Sequence, residues 1–330
     1  MKKRMLALVL SVVLVVSALV GCKTDTEAPT PSDAAPETVH IATMKGPTAI
    51  GLVKAVEDNK ENKETSYDFQ IYGTSDNIVT GLQKGEIDIA CVPCNLASVL
   101  YHNANQSIQV AAVNTLGVLY VVENGDTIHS LADLAGKTIY STGKGTTPEY
   151  SLNYLLEKNG IKDVTVEFRS ESAEIATMLA SDEPIIAVLP QPYVTTAQMK
   201  NEKLRVAVSL SEEWDKLNDG SSLVTGVVVV RKEFSQKYAA FLDRFLEAYR
   251  DSAAYANSHV AETAVLVESY GIFPAKVAEK AIPQCNITFL SGEQMKTSVS
   301  GYLKVLYDSN PKSVGGSLPD DVFYYMPSSK

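Results

Sequence analysis

A two-lobed α/β protein is what this sequence predicts, and three observations predict it. Aliphatic runs alternate with polar turns from about Thr38 to the end of the chain. A strand–turn–helix pattern occurs twice in tandem. Two long apolar stretches bracket the second copy, as strands crossing between two lobes would.

The first element is not part of that fold. Residues 1–21 begin with Lys2, Lys3 and Arg4, continue as an unbroken apolar run and end in small residues, the pattern of a secretory signal. The apolar run is short for a membrane span. Its end, Leu19-Val20-Gly21-Cys22, resembles a bacterial lipobox, in which Cys22 is diacylated and becomes the first mature residue. Two acyl chains hold a protein stably to a membrane. Residues 22–37, rich in Pro and Ala and without period, read as a tether.

Removing residues 1–21 takes away three basic residues and no acid, so the formal charge of −10 becomes −13. That balance excludes nucleic acid as a partner class. The body of roughly 290 residues is long enough for two lobes.

The first strand, within "TVHIATM", runs into the turn Lys45-Gly46-Pro47-Thr48 and a helix. The same order recurs at 137–156, where "KTIYSTGKGTTPEYSLNYLL" carries Lys144-Gly145-Thr146-Thr147. Residues 75–95 and 172–192 then match without a gap, each as helix, turn, apolar strand and a proline-marked loop. Such turns bring backbone N–H groups and the positive end of a helix to a ligand. Gly46, Gly143 and Gly145 allow close backbone approach, Thr48 and Thr147 add hydroxyls, and Lys45 and Lys144 add charge.

The crossing stretches are 108–124, broken at Asn114-Thr115-Leu116-Gly117, and 223–234. They divide the body into a first lobe of 38–118 with 223–330, and a second of 119–222. The tail beyond 234 is mostly helical and is assigned to the first lobe. In it Phe241, Phe245 and Tyr249 have the spacing of a core stripe.

Sharper chemistry is missing from the pattern. No P-loop, third-glycine dinucleotide fingerprint or G-x-S-x-G elbow is present. Cys91-x-x-Cys94 lacks a second pair, and Cys285 stands alone. His40, His102, His129 and His259 show neither ligand spacing nor an evident acidic partner. The expectation is a non-enzymatic binding protein with no metal and no cofactor.

Taken together, the lipobox, the tether, "KGPTAIGL", "GLQKGEIDIACVPCNLASVL", "LADLAGKTIYSTGKGTTPEYSLNYLLEKNGI" and "PQPYVTTA" resemble the solute-binding lipoproteins of ABC importers. The branch is the nitrate, sulfonate, taurine and thiamine-pyrimidine group, with the type II periplasmic-binding fold. The L-x-x-G-x-I-D-I-A and D-L-x-G-K-x-I segments are its most specific parts.

The resemblance implies a ligand clamped between two hinged lobes and delivered to a membrane permease with its ATPase. It implies a monomer on the outer face of the cytoplasmic membrane. By position it places ligand contacts at Lys45, Gly46, Pro47 and Thr48, at Gly73 and Thr74, and at Pro93, Cys94 and Asn95. The second lobe would add Gly143, Lys144, Gly145, Thr146 and Thr147, with Gln191, Pro192 and Tyr193, and Thr115 at the crossing. Tyr193 is placed to stack on a planar ligand or to form a plain rim. Two alternatives remain open: an enzyme on the same scaffold, of the pyrimidine-synthase or menaquinone-lyase type, and a sensory or adhesive lipoprotein. The Cys91/Cys94 pair is not the cysteine-rich motif of the synthases.

Overall fold

The structure, a computed structural model, describes residues 35–327 apart from 182, 218 and 219. The expected signal, Cys22 and the tether as far as residue 34 lie outside those residues. Pro36 is buried, and its carbonyl accepts a 2.7 Å bond from Thr65 Oγ1, so the fold already holds the chain two residues before the first strand.

In the first strand, β1 (Thr38–Met44), Val39, Ile41 and Ala42 are buried. It is followed by a one-turn helix α1 (Pro47–Ile50), opened by proline at the position where its missing N–H costs nothing, and by α2 (Val53–Asp58). Then come β2 (Ser66–Tyr72), α3 (Asp76–Lys84), β3 (Ile89–Pro93), α4 (Cys94–Asn103) and β4 (Ile108–Leu116). The apolar run of β3 is buried on both faces, as a central strand should be.

The chain then enters a second sheet. Its elements are β5 (Leu119–Glu123), β6 (Thr138–Ser141), α5 (Thr147–Lys158), β7 (Thr165–Phe168), α6 (Ser172–Met178), β8 (Ile186–Pro190), α7 (Tyr193–Gln198), β9 (Arg205–Ser209) and α8 (Leu210–Lys216). It returns through β10 (Val224–Arg231), continues as α9 (Lys232–Lys237), α10 (Ala239–Ser258), α11 (Val260–Ser269) and α12 (Ala275–Ala281), and ends with β11 (Ile287–Leu290) and α13 (Gly292–Ser309).

The two sheets share one plan. The first has the order β11-β4-β10-β3-β1-β2, and the second β7-β6-β8-β5-β9. In each, a parallel trio (β2-β1-β3; β7-β6-β8) is extended by one antiparallel strand, β10 in the first sheet and β5 in the second. The stretch 108–124 forms β4 of the first sheet and β5 of the second, with the chain passing between the sheets at Gly117–Val118, and β10 within 223–234 brings it back to the first sheet.

The helical tail packs against elements of both lobes. Phe241, Phe245 and Tyr249 of α10 pack with Val39, Ile41 and Leu52 of the first lobe. By contrast α12 lies against α7, and Tyr302 of α13 stacks near Trp214, which in turn meets Tyr154. One core therefore runs from β3 and β4 through α13 to α5 and α8. The strand β11 was not evident from the sequence, because a four-residue run between helices has too little period to read.

Candidate ligand-binding cleft

A cavity of about 310 Å³ lies between the sheets. Its walls are the carboxyl ends of the parallel strands and the turns that lead from them into helices, the usual place for ligands in open α/β sheets. The first lobe supplies Met44 to Thr48 after β1, Gly73 to Asp76 after β2, and Pro93 at the end of β3. The second supplies Thr142 to Lys144 and Thr146 to Pro148 after β6, Arg169 to Ser172 after β7, and Pro190 and Tyr193 around the end of β8. Val118 and Leu119 from the first crossing and Thr225 from the second complete it.

Of the residues singled out in the sequence, Lys45, Gly46, Pro47, Thr48, Gly73, Thr74, Pro93, Gly143, Lys144, Thr146, Thr147 and Tyr193 line this cavity. Cys94, Asn95, Thr115, Gly145, Gln191 and Pro192 are not among its lining, and four of them are wholly buried for a visible reason. Asn95 donates to Gly145 O at 3.1 Å and Ser313 O at 3.0 Å and accepts from Thr147 Oγ1 at 3.3 Å. The Gln191 amide oxygen accepts from Thr195 N and Oγ1, closing the first turn of α7, while its nitrogen donates to Gln284. Cys94 is packed in the apolar core, and Thr115 sits in β4 opposite Gly226. Gly145 turns its N–H onto the Glu149 carboxylate. Pro192 immediately precedes α7.

The sequence analysis missed Arg169, Ser170 and Glu171. The signal was available: extending the 75–95/172–192 match back by three residues sets them opposite Tyr72, Gly73 and Thr74. It also missed Asp76 and Thr225.

The polar groups of the cavity are largely spoken for. Thr48 Oγ1 donates to Met44 O at 3.1 Å, Thr146 Oγ1 to Gly143 O at 2.7 Å, and Thr142 pairs with Ser172 at 3.1 Å. Tyr193 is buried, with its ring edge-on to Phe273 and its hydroxyl donating to Lys45 O at 3.4 Å across the lobes. Burial, with the nearby Glu171 charge adding to it, pushes its phenol up to about 12, so it stays a donor. The ring is a brace, not a free stacking platform.

The charges are distributed unevenly. Arg169 is matched by Glu167 at 3.3 Å and Glu174 at 3.5 Å and lies over the Tyr140 ring. Lys45 and Lys144 rest over Phe273 and Phe168 at 5.7 and 5.9 Å, with no carboxylate partner among the described residues. Asp76 and Glu171 likewise have no cationic partner among them, and Glu171 reaches across the mouth: a Cβ added at Gly73 would lie 2.8 Å from its Oε1.

Elsewhere, two expectations about side chains are corrected or refined. His40 does have an acidic partner, Asp68, at 3.0 Å, and His129 stands 3.9 Å from Asp126; both pairs are exposed and remote from the cleft. Cys91, Cys94 and Cys285 are unpaired buried thiols, and burial raises the pKa of each, so none is poised as a thiolate.

With this geometry in view, the family model for the substrate-binding domain of ABC-type glycine betaine transport systems matches residues 37–284. The chain belongs to that family. Its members are substrate-binding proteins of ABC importers, extracytoplasmic by class, and this chain is one of them. Among solved structures, it is similar to an ABC transporter protein of Parabacteroides distasonis, at 28% identity and a TM-score of 0.72, over 88% of this chain and 99% of that one. The periplasmic aliphatic sulphonate binding protein SsuA of Escherichia coli shares the fold at 17% identity and a TM-score of 0.70, over 90% and 94% of the two chains. The alkanesulfonate-binding protein SsuA of Xanthomonas axonopodis pv. citri, bound to MOPS, does so at 14% and 0.67, over 87% and 96%. No curated protein sequence matches. Among the described residues no helix is long and apolar enough to cross a membrane.

Proposed function

We propose that this substrate-binding protein captures a small polar or anionic organic solute between its lobes and delivers it to an ABC permease. The observation that carries the proposal is the cavity itself, walled from both sides by the turns after the matched strands β1 and β6. The solute's anionic or polar head would lie at Lys45 to Thr48 and at Gly143, Lys144, Thr146 and Thr147, beside two ammonium groups that have no carboxylate partner among the described residues. Asp76 and Glu171 argue against a ligand that is negative throughout. A solute whose charge is balanced or confined to one end suits the site, in keeping with the glycine betaine and sulfonate named for its family and two of its neighbours. The further parts of the proposal are a lipid at Cys22, an outer-face position and a monomeric state.

Native mass spectrometry of the purified protein, followed by calorimetry with organosulfonates and betaines, tests the ligand. Small-angle scattering with a bound solute should give a smaller radius of gyration, as lobe closure requires. An unchanged profile at saturation would rule out closure, and labelled lipid absent from the mature N-terminus would rule out the anchor.

A further inference from the structure

A buried polar cluster sits against the first cleft turn, and the solute-binding proposal makes no use of it. Tyr249 of α10 is fully buried, and its hydroxyl donates to Thr48 O in α1 at 3.3 Å. The same hydroxyl accepts from Asn114 Nδ2 of β4 at 3.0 Å, with Cys91 Sγ of β3 at 3.6 Å. Thr48 is tied a second time: its own hydroxyl accepts from Thr43 Oγ1 at 3.3 Å and donates to Met44 O at 3.1 Å. Thr48 lines the cavity, whereas Thr43, Cys91, Asn114 and Tyr249 do not.

Asn114 reaches the phenol because β4 carries an extra residue at that point. Thr115 stands opposite Gly226 and Val113 opposite Val227, which leaves Asn114 as the unpaired residue of a bulge. Bulges of this kind bend a strand and re-aim a side chain. Gly226 leaves the space that the cluster fills, for a Cβ there would lie 2.7 Å from Thr48 Cγ2 and 2.6 Å from Asn114 Oδ1. Asn114 stands just before the chain passes to the second sheet at Gly117–Val118, and Gly226 just after it has come back. The first cleft turn is therefore bonded to one crossing strand and packed on the other.

We infer that Tyr249 is a positioning residue for solute capture, whose hydroxyl ties the Gly46–Thr48 turn to the bulged strand β4 and so holds one wall of the cleft in place. The inference rests on the solute-binding proposal and deepens it. Tyr249 acts through Thr48 and does not touch the solute. A wall that is already ordered adds no ordering cost when a ligand binds, so loosening it weakens binding without removing a ligand contact. Asn114 is the other half of the tie. Its Oδ1 has no partner, so losing the whole amide removes one unsatisfied group along with one bond and should cost the free protein little.

The test compares Tyr249→Phe and Asn114→Ala with the wild type and with Tyr101→Phe as a control. Tyr101 is equally buried, and its hydroxyl donates to Asp320 at 2.6 Å outside the cavity lining. Melting temperature and hydrogen exchange at the amides of Thr48 to Leu52 are measured without solute. Calorimetry then uses MOPS, methanesulfonate and glycine betaine as probes. Tyr249→Phe should bind the tightest probe about tenfold more weakly, roughly 1.4 kcal/mol, and exchange faster at those amides. Asn114→Ala should weaken the same probe in the same direction, and it decides the matter if Tyr249→Phe does not fold. Tyr101→Phe should lower the melting temperature while keeping wild-type affinity and exchange. Wild-type affinity in Tyr249→Phe, or an equal loss in Tyr101→Phe, would overturn the inference and leave the solute proposal standing. Failure of every probe to bind the wild type would overturn both.

Discussion

The turn after β1 and the turn after β6 have nearly the same sequence and are built differently. In the first, Gly46 opens a four-residue helix, and no protein group accepts its N–H among the described residues. Thr48 fastens that turn to its own strand through Met44 O. In the second, Gly145 adopts φ +77 and gives its N–H to Glu149, ahead of a twelve-residue helix. Its threonine, Thr147, is fastened to the other lobe through Asn95. Both turns are bonded from across the cleft, the first at Lys45 O by Tyr193 and the second at Gly145 O and Thr147 by Asn95. But the first anchors its threonine in its own strand and leaves its glycine N–H free among the described residues, while the second spends that N–H on Glu149. Sequence likeness between two loops therefore does not establish that they offer a ligand the same groups.

The most severe way to break this contrast is Asn95→Ala. It strands the carbonyls of Gly145 and Ser313 and frees Thr147, so a loss of about 3 kcal/mol is expected. A lowered urea midpoint with an unchanged slope would report it. Wild-type stability in this variant would mean that the second turn does not depend on its bonds to Asn95.

A smaller effect is expected from Gly145→Ala. Nothing lies within 4 Å of the added Cβ, so the cost is the left-handed backbone alone, about 1 kcal/mol. Gly145→Asn should recover part of that, because asparagine visits this region more readily. Equal costs for Ala and Asn, measured by thermal denaturation, would point to crowding instead of backbone conformation.

Glu149→Gln sharpens the comparison by making the second turn more like the first. Removing a carboxylate from the first turn of α5 should cost about 0.5 kcal/mol of stability. With the charge gone from beside Gly145, an anionic probe should bind a few-fold more tightly at low salt, as calorimetry would show. Unchanged affinity would place the anion away from this turn.

The least effect belongs to the lysines. Lys45→Ala and Lys144→Ala should each weaken an anionic probe by about twofold to fivefold, with the loss shrinking as salt is raised, because both are exposed. Association rates measured by stopped flow should fall with them. A loss from one lysine only would show that the head group favours one lobe.

Much of the fold was legible because it depends on local pattern. The apolar runs of β1, β3, β8 and β10, the glycine and proline at their ends, and the repeat of strand, turn and helix are all written along the chain. The lining residues of the two Lys-Gly turns followed from that repeat, since strand ends in such sheets converge on a cleft, while Gly73, Thr74, Pro93 and Tyr193 followed from the family resemblance. Arg169 to Glu171 were within reach of the same repeat had the match been extended.

What the sequence by itself determined was the α/β class of the fold and the repeat of strand, turn and helix, because hydrophobic period and turn chemistry are properties of neighbouring residues. Tertiary structure alone decided which polar atoms those turns leave free. Asn95 and Gln191 were equally good ligand contacts until their amides met Ser313 and Gln284 from far along the chain. A hydrogen bond is satisfied by whatever lies within 3 Å, and that is set by packing between segments that the linear order keeps apart.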